Sequence, residues 1–548
     1  MTARVQTSNT KARKCLFYSP LTKNLTSSDL SGFLFKPQAW HIIRAGRGCA
    51  CELHLDAFEK KSGLRKTREE VFAHCVGSSA VDAKYRDMYI ETQLESLVEC
   101  AKYMREGIDA VDPSLPGSFC CVGPSCEAAT EIATILAGKG NPVQVRINNG
   151  RYHPQGPKQF SNTFMRAAIQ IAVLNNQGHV DNFLAETDTC PQNRYSTGAM
   201  SLHTHFTGTI LEGVSGAKHW ITRMANFEPV AGRMYRKILS KYSGFYRTLS
   251  EIVPSLKWRG ARIPISCTPD YCYNTVGYDT KASASGWAMC VLERLGLPFY
   301  FSTEQSNISF LDGMTDSLFS DNEIKDMLSH TLVLDGGAAE RLCNRGFKKF
   351  IGVEVTPWSG KNVSGELYSV EKTHSTKQTN AREIKILDDS VIVDSRCYHV
   401  PDGVSREMLF PATTVYKNAL GGTVIVFCGD ANTNFHFTTA FAFLNNTRKN
   451  QLIRLLKQYG DLPIYVPDDD EVYLRVADME DGDLFCGVFN ISLDPIESIH
   501  LVCENIPKKI EVLSPDGRFE PCKFCVKNGE VILEKSAEIL TPVILKIK

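Results

Sequence analysis

Hydrophobic and polar positions along this chain follow two rhythms, and the changes between them divide it. Residues 1–48 are polar and weakly patterned, with LSGFLF (30–35) as one candidate strand. From 49 to about 105 the spacing is helical. It runs through CELHLDAFEKKSG and TREEVFAHCVG to a long segment in which Tyr89, Leu94, Leu97, Val98 and Ala101 recur near the 3.6-residue period. SFCCVG (118–123) reads as a short buried strand. Strand and helix then alternate. Strands are predicted in PVQVRIN, VDNFLAETD and AKHWITR, and helices in CEAATEIATILAGKG, FMRAAIQIAVLNNQG, STGAMSLHTHFTGTILEGVSG and GRMYRKILSKYSGFYRTLSEIV. Units of this length predict parallel strands joined by right-handed crossovers, about half of a (β/α)₈ barrel.

Around Pro254 the pattern shifts. ARIPISCTPDY, WAMCVLERLGLPFYF, TLVLDGGAAERLCNRGFKKFIGVEV, TVIVFCGD and NTRKNQLIRLLKQYG form a second set of strands and helices, Rossmann- or flavodoxin-like in order. From Leu462 short alternating strands take over, separated by the turn signals DGD, PDG and NGE, as in a β-sandwich. The expected architecture is α/β and multidomain. Residues 1–254 form a partial TIM-like (β/α)₈ barrel, 255–461 a Rossmann/flavodoxin-like α/β domain, and 462–548 a C-terminal β-sandwich.

Composition narrows the partners. At 548 residues the chain is too long for a single core. Sixty-one Lys and Arg balance 61 Asp and Glu, which argues against nucleic acid or an anionic membrane as partner. No apolar run reaches the roughly 18 residues of a membrane span, and the basic N-terminus has no apolar stretch after it. The 19 cysteines, odd in number and scattered, read as buried reduced thiols, so a cytoplasmic location is expected. Asn-x-Ser/Thr triplets at Asn307 and Asn490 read as chance.

Candidate chemistry collects at strand ends, where parallel α/β architectures gather substrate-binding side chains. VDNFLAETD ends on Glu186 and Asp188. A retaining glycosidase needs a carboxylate nucleophile and a second carboxyl group about 5 Å away across the sugar. Glu186 suits the first role and Asp188 an orienting or hydroxyl-binding one, and the pair fits a helix cap equally well. Asn148, Arg151 and His153 in RINNGRYH, together with Arg194, His203, His205 and Trp220, supply donors, acceptors and an aromatic platform for a sugar. His203 and His205 also suit a structural helix interior. Cys49, Cys51 and His54 in CACELH have zinc-ligand character, with His74 or Cys75 as a fourth donor, and a helix start without metal fits them as well. The turn Gly336–Gly337 lacks any phosphate-binding signature.

In the order of its parts over residues 45–548, the chain resembles the family-42 β-galactosidase group of glycoside hydrolases. GCACELHLDAF is similar to the group's zinc helix, FLAETD to its nucleophile strand, and WAMCVLERLGLPFYF with LVLDGGAAERL to its amidotransferase-like second domain. The resemblance implies a carbohydrate substrate, hydrolysis of β-linked sugars, Glu186 as nucleophile, no required cofactor, and a structural zinc on Cys49, Cys51 and His54. It also implies homo-oligomers, trimers in that group. One departure stands out. The group's Asn-Glu pair, which supplies the acid/base, precedes the clustered cysteines, and here that stretch reads FKPQAWHIIRAGRG without a carboxylate. The nearest acid is Asp29. The resemblance therefore implies a member lacking the first half of its barrel, with a catalytically inactive carbohydrate-binding or assembly protein as the alternative.

Overall fold

In a computed structural model, the described residues are 33–35, 49–76, 80–121, 128–151, 158–188, 198–220, 232–267, 285–313, 315–376, 380–431 and 442–548. The first layer is an all-parallel sheet of five strands in sequential order: β1 (Phe33–Phe35), β2 (Gly117–Cys120), β3 (Gln144–Arg151), β4 (Asn182–Asp188) and β5 (Gly216–Trp220). That is the order of successive β/α units, and among the described residues nothing closes the sheet into a barrel. Before β2 come α1 (Glu52–Ser62), α2 (Arg68–Val76) and the long α3 (Ala80–Asp109), which share the small core of Leu55, Phe58, Val71, Tyr89 and Ile90.

The crossover helices are α4 (Ala129–Ala137), α5 (Lys158–Gln177) and α6 (Ala199–Leu211). Their apolar residues Ile132, Leu136, Phe164, Ile171, Leu202 and Ile210 share one core with Phe119, Val145, Ile147, Phe183 and Ala185 of the strands. Side chains alternate across a strand, so these positions define the helix-covered face. The last helical segment of this region is broken at Tyr242 into α7 (Arg233–Lys241) and α8 (Ser243–Ile252).

The second layer has a flavodoxin-type strand order, one of the two the sequence left open. Strands β7 (Ala261–Pro264), β8 (Phe299–Ser302), β9 (Ile308–Leu311) and β10 (Thr331–Leu334) join Thr423–Phe427 in the parallel sequence β8-β7-β9-β10-(423–427). Antiparallel strands Glu407–Lys417, Ile392–His399, Gly365–Tyr368 and His374–Thr376 extend the same sheet. Trp287 is fully buried there, its ring 5.3 Å from those of Phe310, Phe427 and Phe443. Gly336 and Gly337 open a short helix capped by Asp335, whose carboxylate accepts from Ala338 N at 2.8 Å. A Cβ at Gly336 would strike the Cys428 carbonyl, so the turn serves packing.

Two antiparallel sheets form the C-terminal unit, one of four strands and one of six. The six-stranded sheet recruits β6 (Lys257–Arg259), which pairs with Val472–Asp478 from more than two hundred residues away. The same sheet packs on the first helical layer, with Phe164 of α5 lying 5.5 Å from the rings of Tyr473 and Phe489. No helix among the described residues is long and apolar enough to cross a membrane.

Candidate active site

Strand alternation separates two chemistries on the first sheet. Opposite the helix-covered face lie Ser118 of β2, Gln144 and Arg146 of β3, Glu186 of β4 and Lys218 of β5. Ser118 Oγ donates to Gln144 Oε1 at 3.2 Å. Arg146 Nη1 lies 2.9 Å from Glu186 Oε1, with side-chain exposures of 3% and 15%. The register explains the contact. Arg146 pairs with Leu184, Asn148 with Glu186, and Glu186 with Lys218 on the other side, so a cationic residue stands on each strand that flanks β4.

At such burial the pair is held by mutual need, because removing either partner leaves the other charge without its direct ion pair in a poorly solvated place. Arg146 Nε and Nη2 make no hydrogen bond and are shielded from solvent. The guanidinium therefore has donor capacity left over beside the carboxylate. An anionic oxygen held near the C-terminal end of a parallel strand is suited to attack an electrophilic carbon or to hold a developing cation.

The other predicted residues fall into three groups. Asp188 is in register with Trp220 on one side and Arg151 on the other, and Asn148 with Glu186, so four of the predicted positions gather at one end of the sheet. A bulge separates Asn148 from Arg151. His153 and Arg194 lie outside the described residues. The expectation of His203 and His205 as sugar ligands is corrected. Both are fully buried within α6, in the helical layer on the far side of the sheet from Glu186. His203 stacks on Tyr242 at 3.7 Å and its Nδ1 lies 2.9 Å from the Tyr246 hydroxyl, and burial lowers its pKa to about 3. Helix α6 is enclosed on all sides, which is why its polar residues looked like ligands in the sequence. His219 of β5 faces the same layer, edge-on to Phe206 at 5.0 Å, and burial takes its pKa down to about 4.

The metal expectation divides. Cys49 Sγ, Cys51 Sγ and His54 Nδ1 converge within 4.8 Å of one another at the start of α1. Cys51, however, is disulfide-bonded, and a disulfide sulfur has no thiolate to offer a metal. His74 is turned to Asp82 at 2.8 Å. The Cys75 side chain lies outside the described ones, and among the described side chains one thiol and one imidazole fall short of the four ligands of closed structural zinc. Asn490 is buried, its amide donating to the carbonyls of Asp494 and Ala537, which places it out of reach of glycosylation. Two things escaped sequence reasoning: Arg146 as the partner of Glu186, and Lys218 as its neighbour. The alternation Gln144, Arg146, Asn148 against Glu186, Asp188 was the available signal.

No family model matches the sequence, and no curated protein matches it. Solved structures do. α-L-Fucosidase isoenzyme 2 from Paenibacillus thiaminolyticus superposes with a TM-score of 0.60 at 11% identity, over 94% of this chain and 77% of that one. A β-galactosidase from Bacillus circulans sp. alkalophilus superposes with a TM-score of 0.53 at 12% identity, over 92% of this chain and 78% of that one. The chain shares the mixed α/β fold of these two structures.

Proposed function

We propose that this protein is a glycoside hydrolase of β-linked sugars acting by retention, with Glu186 as the nucleophile. The observation that carries the reading is the buried Arg146–Glu186 pair at the C-terminal end of β4, supported by the likeness of the fold to a fucosidase and a β-galactosidase. In this reading Arg146 fixes the carboxylate for attack at the anomeric carbon. Asp188 binds a hydroxyl, and Asn148, Arg151 and Trp220 frame the sugar. A homo-oligomer, trimeric by analogy, completes the reading. Turnover of an aryl β-glycoside panel (galactoside, fucoside, glucoside, mannoside) tests it. Wild type should release aryl alcohol from at least one member, and Glu186→Gln should not.

A specific observation favours a second reading, a carbohydrate-binding protein without turnover. Among the described residues of the five strands, Glu186 and Asp188 are the carboxylates, and both sit on β4. Retention calls for a second carboxyl group on the other side of the bond, and loss of general acid assistance costs about 10²–10⁴ in rate. Calorimetric binding of a galactoside without hydrolysis would decide for this second reading.

A further inference from the structure

Far from the parallel sheet, three segments bring metal-binding groups together at one end of the C-terminal four-stranded sheet. Asp468 lies three residues beyond the strand Ile464–Tyr465, His500 begins the strand His500–Cys503, and Glu530 begins Glu530–Leu533. These strands are consecutive neighbours, with Tyr465 opposite Val502 and His500 opposite Ile532. The donor atoms of the three side chains all lie within 4.8 Å of one another. His500 Nδ1 is 3.0 Å from Asp468 Oδ2 and 3.8 Å from Glu530 Oε2.

A simple His–Asp ion pair aims its N–H along the line to the oxygen. His500 Nδ1 does not: it is shielded from solvent and makes no hydrogen bond despite the 3.0 Å approach. For a four-coordinate ion bonded at about 2.0–2.1 Å, adjacent donor atoms stand about 3.3 Å apart. The two measured separations bracket that edge.

We propose that Asp468, His500 and Glu530 bind a divalent transition-metal ion, Zn²⁺ in first preference, as a clip on the C-terminal unit. The imidazole disfavours Ca²⁺ and Mg²⁺, which take oxygen ligands. The hard carboxylates disfavour Cu(I). Lys449, nearly fully buried, donates to the backbone carbonyl of Asp468, not to its carboxylate, so it anchors the acidic loop while leaving the side chain to the ion. Asp468 and Glu530 are partly exposed, which leaves room for water as a fourth ligand. The bound ion would join the loop after Tyr465 to two strands that the backbone pairs only briefly at this end.

The test is Co²⁺ and Zn²⁺ titration of the full chain after chelator treatment. Co²⁺ at an oxygen–nitrogen site shows visible d–d bands without the strong near-ultraviolet thiolate band that binding near Cys49 would give. Expected is one equivalent with d–d bands alone, retained in Cys49→Ser and lost in His500→Ala. Glu530→Gln, at a partly exposed position, should lose it too, which covers the case of a misfolded histidine variant. Wild-type protein that binds no ion overturns the proposal, and so does stoichiometry unchanged in both variants.

Discussion

Arg475 of the C-terminal sheet donates to Glu212 Oε1, and both side chains are almost wholly buried. Tyr473 donates to the same oxygen at 3.0 Å, and the guanidinium lies 4.0 Å over the ring of Trp258 in β6. Glu212 terminates α6, the helix that follows the Glu186 strand. The terminal sheet thus holds the crossover that carries the candidate site. Removing one partner leaves the other charge buried and unpaired, so Glu212→Ala should lose about 3–5 kcal/mol, read from urea unfolding midpoints. Glu212→Gln, which keeps an acceptor, should lose less.

Gly208 sits in the last turn of α6, where exchange for alanine would ordinarily gain about 1 kcal/mol of helix propensity. Here a Cβ would run into the Phe164 ring, itself fully buried. Overpacking of that kind costs about 1–3 kcal/mol, so Gly208→Ala should destabilise in thermal melts. A stabilised variant would show that α5 and α6 pack less closely than described.

Two buried imidazoles set an acid limit. Burial lowers His203 to about 3 and His219 to about 4 from 6.5. Between the unfolded value and these folded values, the unfolded chain binds more protons. Their contribution is therefore complete above about pH 6.5 and is lost as pH falls toward 4 and then 3. The slope is about 1.4 kcal/mol per pH unit for each histidine. His203→Phe, which keeps the stacking on Tyr242, should flatten the acid limb of a stability–pH series between pH 6.5 and 4. An unaltered limb would mean that His203 does not titrate between the folded and unfolded states.

Much of the layering was legible because local patterns and global fold agree. Phe183 and Ala185 alternate with Leu184 and Glu186, and α4 and α5 close on Gly138 and Gly178, as the apolar spacing predicts. Four features were not. The pairing of Arg146 with Glu186 depends on the register between β3 and β4, which no single strand encodes. Strand β6 is three residues long, and its partner lies in the terminal sheet. Helix α6 is buried on every side, and apolar spacing alone left His203 and His205 open between a ligand role and a structural one. The disulfide at Cys51 is a matter of distance in space, and sequence spacing left a metal and a metal-free helix start both open.

Arg146 offers a test of geometry apart from chemistry. Arg146→Met leaves Glu186 without its buried counter-ion, so a loss of about 3–5 kcal/mol in stability is expected, together with lowered kcat on any aryl glycoside that wild type turns over. Arg146→Lys keeps the charge but gives up the planar fork, and it should recover stability more fully than kcat. Equal recovery of both would make the arginine purely structural.

The reading as a whole turns on the carboxylate of β4. Steady-state turnover of aryl β-glycosides by wild type and Glu186→Gln, at matched folded fraction, is the most direct measurement. The account predicts a fall in kcat of about 10³-fold or more, with sugar binding retained. Turnover unchanged in Glu186→Gln would contradict it.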